Sequence, residues 1–219
     1  MPRALFQKTG NAVYISHLDL MRLFQRAFKR AGLALTHTHG YNPRPSVSIA
    51  LPLSVGVESY CELLDVNLDG ESVSCSEICQ RLNCALVGGV KVLSVYEDGA
   101  KIKNLAYLDC RIDLEYDTGI PDYAQDSISK LFSQSSLVIE KKSKNGNTVQ
   151  DIIPMIRSLR VDHQDNNTLA IYARICCQNP SLNPNQLVAA IIHYLPELTP
   201  DFSKCCRLEI FDQQENIFR

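Results

Sequence analysis

The first hundred residues show two patterns of apolar and polar positions, one typical of helices and one typical of strands. Apolar residues at helical spacing predict a helix that begins at Ser16 and a second helix over 74–86. Short apolar runs separated by turn residues predict strands over 4–8, 46–53, 59–68 and 90–96, and residues 12–15 as a continuation of the first strand. The resulting βαββαβ order is that of a ferredoxin-like unit, an antiparallel sheet with both helices on one face.

The first helix carries clear start, stop and core signals. The Ser16 hydroxyl can cap backbone N–H groups, and Asp19 faces the positive end of the helix. Gly32 is a natural stop. A buried stripe is predicted from five apolar residues, Leu20, Leu23, Phe24, Ala27 and Ala31.

The second half repeats this order in outline after a linker at 98–101. Strands are predicted over 106–116, 137–141, 168–176 and 205–211, with an added segment at 149–159. Helices are predicted over 121–133 and after Asn183-Pro184. We therefore expect an α+β fold of two ferredoxin-like (βαββαβ) halves with antiparallel sheets, as domains 1–98 and 99–219. The duplication rests on element order, because no residue-level repeat relates the halves.

Composition excludes several protein classes. The 219 residues are 45% hydrophobic and 21% charged, as in ordinary globular proteins. No run approaches the roughly 18 apolar residues of a membrane span, and the N-terminus lacks the apolar core of a signal peptide. A cytoplasmic protein without a membrane partner is expected.

Nine cysteines do not form a recognised framework. The number is odd, and no CxxC spacing occurs, which argues against a disulfide scaffold, a zinc ribbon or a redox motif. They are predicted to be buried small hydrophobes. A metal site built from the doublets at 176/177 and 205/206 is the alternative, but no metal or cofactor is expected.

Charge is unevenly distributed along the chain. Residues 1–60 carry seven basic and two acidic side chains, whereas the remainder carries 15 basic and 22 acidic ones, for a net charge of −2. Such separation indicates an anion-facing surface in the N-terminal part.

The first helix concentrates this positive charge. Arg22, Arg26, Lys29 and Arg30 follow at i, i+4, i+7 and i+8, so they share a face opposite the apolar stripe without an interleaved acid. A solvated helix face is the simpler interpretation. Salt-bridged surface helices alternate signs, however, so the stripe favours an anionic ligand.

A polar loop follows the helix and adds hydrogen-bonding groups. Within the sequence HTHGYNPRP, the candidate side chains are His37, His39, Tyr41, Asn42 and Arg44. The prolines Pro43 and Pro45 favour a preset shape, and this set suits phosphate, carboxylate or base recognition. A connector whose polar groups bond its own backbone is the alternative.

Catalysis by this chain is uncertain and not favoured. His17 and Asp19 stand two positions apart, and i,i+2 side chains diverge on a helix. Phosphate-loop, dinucleotide, nucleophile-elbow and zinc-protease motifs do not occur. No catalytic residue is assigned.

The segment from Tyr14 to Asp65 resembles the radical-SAM-linked protein family, whose members occur alone or as a C-terminal extension of a radical SAM enzyme. The matching positions are Ser16, His17, Leu18, Asp19, Arg22, Arg26, Arg30, Gly40, Tyr41, Asn42, Pro43, Pro45, Gly56, Glu58, Ser59 and Glu62. The resemblance implies association with a radical SAM protein. Cys75 and Cys79 begin a CxxxCxxC spacing, but Leu82 stands at its third position, so the radical chemistry would belong to that partner.

These observations lead to one hypothesis and two rivals. We expect an accessory module that recognises RNA, such as tRNA or ribosomal RNA, for a radical SAM partner. Its binding residues would be Arg22, Arg26, Lys29, Arg30, His17, His39, Tyr41, Asn42 and Arg44. The rivals are an RNA-processing or RNA-modifying enzyme using His17 or His39, and a pure protein-interaction module.

Overall fold

The computed structural model of the protein describes residues 2–70, 73–143 and 146–219. Two compact units divide the chain. The first runs from the N-terminus to Asn104 and includes Phe218 and Arg219, and the second comprises residues 105–217. The elements of each unit are described separately below.

The first unit is a ferredoxin-like βαββαβ unit. Its elements are β1 (Arg3–Lys8), α1 (His17–Arg30), β2 (Val47–Ala50), β3 (Val57–Val66), α2 (Cys75–Ala85) and β4 (Val90–Tyr96). The strands lie in the order β4-β1-β3-β2, and every neighbouring pair is antiparallel. This strand order, with antiparallel pairing, arises when two split βαβ motifs interleave.

The core of the first unit lies between its sheet and the apolar side of α1. Phe6 of β1 and Phe24 of α1 meet edge to face, with ring centroids 4.8 Å apart. The predicted stripe is confirmed at three positions, because Leu20, Phe24 and Ala27 are buried. Two predicted members, Leu23 and Ala31, are half-buried instead, and Phe28 is buried in their place.

The second unit has the same topology with a hairpin inserted. Its elements are β5 (Leu105–Glu115), α3 (Ala124–Phe132), β6 (Val138–Ser143), β7 (Gly146–Asp151), β8 (Ile156–His163), β9 (Thr168–Cys176), α4 (Asn185–Tyr194) and β10 (Phe202–Asp212). Its main sheet runs β10-β5-β9-β8, all antiparallel, and β6 pairs only with β7. The hairpin therefore interrupts the βαββαβ order between α3 and β8.

Two local features differ from the predictions. The strand expected over 137–141 is present as β6, but it belongs to the inserted hairpin, and β8 holds the second strand position of the main sheet. The sequence of β8, IRSLRVDH, is rich in charge because β8 is an edge strand with one polar face, which weakened its strand signal. Residues 12–15, expected as strand, lie largely in a 3-10 helix over Gly10–Tyr14.

The predicted α+β class is confirmed, with four α-helices in the described residues and mostly antiparallel sheets. Within those same ranges, no helix has the length and apolar character needed to span a bilayer.

The position of Phe24 gives a direct test of this packing. Phe24→Ala should lower the free energy of unfolding by about 3–5 kcal/mol, because it removes a fully buried ring and leaves a cavity. Leu18→Ala, on the exposed side of the same helix, should change it by less than about 0.5 kcal/mol. Urea denaturation followed by circular dichroism measures both, and equal losses would contradict the assigned buried face.

Candidate nucleic-acid interface

The segment that leads into α1 is held by a buried lysine. Lys8 is 1% exposed, and its Nζ donates to the carbonyl oxygen of Val13 at 3.0 Å. The backbone N–H of Gly56 donates to the same oxygen at 2.9 Å. Burial lowers the pKa of Lys8, and the charge of the buried Glu62 opposes that shift. A lysine amine buried inside the fold thus holds the turn that precedes α1.

Two further hydrogen bonds, both donated by backbone N–H groups, hold the same turn. Thr9 N–H donates to the Gly89 carbonyl at 2.8 Å, and Gly10 N–H donates to Glu58 Oε1 at 3.1 Å. Gly89 has φ of +87°, and a Cβ there would stand 2.4 Å from the Thr9 carbonyl oxygen. Only glycine fits this close approach without moving the backbone.

The N-terminus of α1 is capped as predicted. Ser16 Oγ accepts from the backbone N–H of Asp19 at 3.2 Å and donates to Asp19 Oδ2 at 2.8 Å. Arg22 Nη1 lies 3.0 Å from Asp19 Oδ1. The Ser16 hydroxyl, followed by the Arg22 guanidinium, lowers the pKa of Asp19 below its ordinary value. Asp19 therefore has two partners, and neither is His17.

Three of the predicted cations form the outward face of α1. Arg22, Arg26 and Lys29 are exposed and lie on the side opposite Phe24. The pair of Arg22 with Asp19 is exposed at both ends, so it contributes little to stability and can exchange for another anion. These three cations form the row that a ligand would meet first.

Arg30 departs from the predicted row. Its Nη2 donates to the carbonyl oxygen of Ala85 at 2.5 Å, at the C-terminal end of α2. A guanidinium in this position bonds a helix-terminal carbonyl and interacts favourably with the negative end of the helix. Arg30 thus links α1 to α2, whereas the other three cations of the stripe face outward.

The loop after α1 is a short hairpin. Ser46 N–H donates to the Thr36 carbonyl at 2.8 Å, Thr38 N–H to the Arg44 carbonyl at 2.8 Å, and Arg44 N–H to Thr38 Oγ1 at 3.1 Å. Thr36 N–H also reaches the Asn67 carbonyl at 2.9 Å, which ties the stem to the end of β3. These bonds agree with the connector interpretation for the stem.

The tip of this hairpin is fully presented to solvent. The ring of Tyr41 is 100% exposed, and His39, Asn42 and Arg44 are exposed beside it. The backbone turns at Gly40, whose φ is +139°. In the described residues, no hydrogen bond or ion pair joins these side chains to Arg22, Arg26 or Lys29. The loop and the helix are two separate groups of the first unit.

Sequence reasoning missed two exposed apolar side chains beside the basic row. Tyr14 is 69% exposed and Leu18 is 67% exposed. Leu18 precedes Arg22 by four positions, so the two share one side of α1. The sequence carried a signal for Leu18, because its spacing from the buried residues of α1 places it off the buried face of the helix.

The cysteine doublets do not assemble a metal centre. In residues 2–70, 73–143 and 146–219, no group of three or more His, Cys, Asp or Glu side chains is placed to hold a metal ion. None of the nine cysteines forms a disulfide. Burial raises the pKa of Cys177 and of Cys205 to about 12, as expected for thiols packed as small hydrophobic side chains.

One sequence-family profile covers the capped helix, the hairpin and the turn before α1. The family profile that matches residues 2–184 is described as an uncharacterized protein conserved in bacteria, DUF2344. The chain belongs to the DUF2344 family. No curated protein matches the sequence. Membership in DUF2344 assigns no activity, so function has to be argued from the site.

This chain resembles a chain of known structure in fold alone. A chain in the crystal structure of a Cbf5–Nop10–Gar1 complex has a TM-score of 0.52 at 7% identity. The likeness covers 95% of this chain and 48% of that one, so this chain spans about half its length. An unknown protein from Galdieria sulphuraria has a TM-score of 0.27 at 9% identity, over 94% and 96% of the two chains, and that score supports no argument.

The cap of α1 can be tested through the titration of Asp19. Ser16→Ala should lower the free energy of unfolding by about 1 kcal/mol and raise the pKa of Asp19, because the larger of its two stabilising bonds is lost. In the wild type, the contribution of Asp19 is complete above its unfolded pKa and is lost as pH falls through its lower folded pKa.

Carbon-13 NMR titration of the Asp19 carboxyl measures this effect. Ser74→Ala is the matched control, because Ser74 caps α2 in the same way by accepting from Glu77 N–H. It should reduce stability by a similar amount and leave the pKa of Asp19 unchanged. An Asp19 pKa that does not respond to Ser16→Ala would refute the assigned cap.

Proposed function

We propose that this protein is an accessory module that binds RNA through the outward face of α1 and the hairpin that follows it. The observation that carries the proposal is the exposed row of Arg22, Arg26 and Lys29, in which only Arg22 forms an ion pair among the described residues, while Arg26 interacts with the same Asp19 at longer range. Like charges at i,i+4 and i,i+3 repel, and a polyanion laid along the helix would relieve that repulsion.

The hairpin supplies a different kind of contact. Arg44 adds a cation, while Tyr41 offers a ring with both faces open to solvent. Bases in single-stranded RNA stack on such rings, and Asn42 and His39 carry donors and acceptors for base edges. In this proposal α1 supplies affinity for phosphates and the hairpin tip supplies selectivity for unpaired nucleotides.

The enzyme rival gains no support from the geometry. Asp19 bonds Ser16 and Arg22 rather than His17, so a His17–Asp19 acid–base pair is not assembled. His39 lies exposed at the hairpin, where water would compete with any proton transfer. We accordingly propose that a partner performs the chemistry, and the resemblance of residues 14–65 to radical-SAM-linked proteins supports a radical SAM protein in that role.

Charge reversal tests the RNA proposal. The double variant Arg22→Glu/Arg26→Glu should abolish binding of bulk tRNA and ribosomal RNA in an electrophoretic mobility assay. Wild-type binding should weaken about 50- to 150-fold between 50 and 200 mM salt, as expected when about four phosphates are neutralised. Circular dichroism and urea denaturation should show that the variant remains folded.

A control with the same charge change separates local contacts from overall charge. Lys91→Glu/Lys130→Glu alters two exposed lysines on β4 and α3, neither of which belongs to α1 or the hairpin, and should keep at least half of the wild-type affinity. If the two double variants lose affinity equally, binding is nonspecific and the α1 site is wrong. If the wild type does not bind RNA at 50 mM salt, the RNA proposal fails.

The partner proposal has its own test. The exposed side chains of Tyr14 and Leu18 give a protein a small apolar anchor beside the basic row. We expect Tyr14→Ser/Leu18→Ser to lose co-purification with the radical SAM protein of the source organism while keeping RNA binding. Retained co-purification in this variant would place the partner contact elsewhere, and no co-purification with wild type would remove the partner from the proposal.

A further inference from the structure

The second unit presents a polar sheet face that the function proposed above does not use. Along β5, buried Leu108, Ile112 and Leu114 alternate with half-exposed polar side chains. The same alternation occurs along β9, where Leu169, Ile171, Ala173 and Ile175 are buried. Because successive side chains of a strand point to opposite faces, the polar positions share the face opposite the apolar core.

A tyrosine stands in the middle of this face between two arginines. Tyr172 of β9 pairs in register with Arg160 of β8 on one side and with Arg111 of β5 on the other. The Arg160 guanidinium carbon lies 4.0 Å from the centre of the Tyr172 ring, and that of Arg111 lies 5.7 Å away. The first distance is that of a guanidinium stacked on an aromatic ring.

Carboxylates hold both guanidinium groups in place. Arg111 Nε lies 2.7 Å from Asp113 Oδ1, and Arg160 pairs with Asp162 two positions along its own strand. A planar group that is already oriented loses little side-chain entropy when a ligand stacks on it. The Arg160 side chain is 63% exposed, so its plane is accessible to a ligand.

The same arrangement recurs across the face. The Arg174 guanidinium carbon lies 3.9 Å from the Phe211 ring centre, and its Nε and Nη2 bond the two oxygens of Asp109 at 2.7 and 2.9 Å. Arg157 lies 4.8 Å from the ring centre of Tyr107. Three arginine–aromatic stacks in one unit exceed the expectation of about one cation–π contact per 70–80 residues.

A cavity opens on this face beside the central stack. Its volume is about 280 Å³, and the polar residues that line it are Asp109, Ser158, Arg160, Tyr172 and Arg174. Its wall thus combines a stacked ring, guanidinium donors and a carboxylate acceptor, which together match the face and the edge of a planar, polar ring system.

The balance of charges on this face indicates whether it suits the phosphates or the bases of a nucleic acid. The four arginines of the face, Arg111, Arg157, Arg160 and Arg174, are matched by four carboxylates, Asp109, Asp113, Asp162 and Glu215. A neutralised surface attracts phosphates weakly, unlike the α1 row. Paired donors and acceptors around an aromatic stack suit a base instead.

We propose that this face binds an unpaired nucleobase of single-stranded RNA, stacked on the Tyr172–Arg160 pair with its edge directed at Asp109 and Arg174. The site lies wholly in the second unit and uses no residue of α1 or the hairpin. It deepens the proposed function by adding a second contact for single-stranded RNA, a base-binding site in the second unit, and it can be tested independently of the α1 site.

The test uses short ligands at high salt, where phosphate contacts are weak. The full-length protein is titrated with single-stranded RNA octamers of each base at 300 mM salt and followed by fluorescence anisotropy. Tyr172→Ala should weaken the preferred octamer by about 5- to 150-fold, the range for loss of one stacked base. Tyr172→Phe should bind like wild type, because the ring is kept.

Two further measurements make the result decisive. The Arg22→Glu/Arg26→Glu variant should keep this high-salt binding, so a failure of the α1 proposal leaves the present one standing. Ultraviolet cross-linking of the octamer, followed by mass spectrometry, should place the cross-link on Tyr172. Equal binding by wild type and Tyr172→Ala, a Tyr172→Phe variant as weak as Tyr172→Ala, or no octamer binding at 300 mM salt overturns the proposal.

Discussion

The first unit depends on a buried amine bonded to one carbonyl oxygen. Lys8 and the Gly56 N–H both donate to Val13, and together they hold the 3-10 turn from which α1 departs. A lysine buried this deeply carries a desolvation cost, and the nearby carboxylate of Glu62 offsets part of it. Glu58 and Gly89 hold the same turn through Gly10 and Thr9. The direction of α1, and with it the basic row, follows from this anchoring.

This anchoring also explains part of the segment that resembles radical-SAM-linked proteins. Gly56 and Glu58 contact the turn, Ser16 and Asp19 form the cap, and Arg30 bonds the end of α2. These residues position the helix and need not touch a ligand. Arg22, Arg26 and the hairpin tip have no comparable structural task, since they lie exposed on the first unit. The same motif therefore contains both supporting residues and candidates for binding.

The two units share one topology but differ in the balance of charges on their exposed faces. The outward side of α1 presents cations with few acidic neighbours, which favours a polyanion held through its charge. On the polar sheet face of the second unit, Arg111, Arg160 and Arg174 each contact a carboxylate and an aromatic ring, which favours contacts to a planar ligand. Salt concentration would separate the two proposed modes, because counterion release contributes mainly to the first.

Local signals in the sequence determined the βαββαβ order of the first unit, the Ser16 cap and the exposed position of Arg22, Arg26 and Lys29, because each depends on residues within a few positions of one another. Local patterns also predicted β5, β9, β10, α3 and α4 of the second unit. Tertiary structure alone decided the features that follow. Strand β8 was misassigned because an edge strand with one charged face lacks a strong apolar pattern. The contact of Arg30 with Ala85 and the stack of Tyr172 with Arg160 and Arg111 join residues that are distant in sequence or on separate strands. Lys8 is buried on β1, which lies between β3 and β4. Such contacts arise from strand register and helix packing, which no local periodicity encodes.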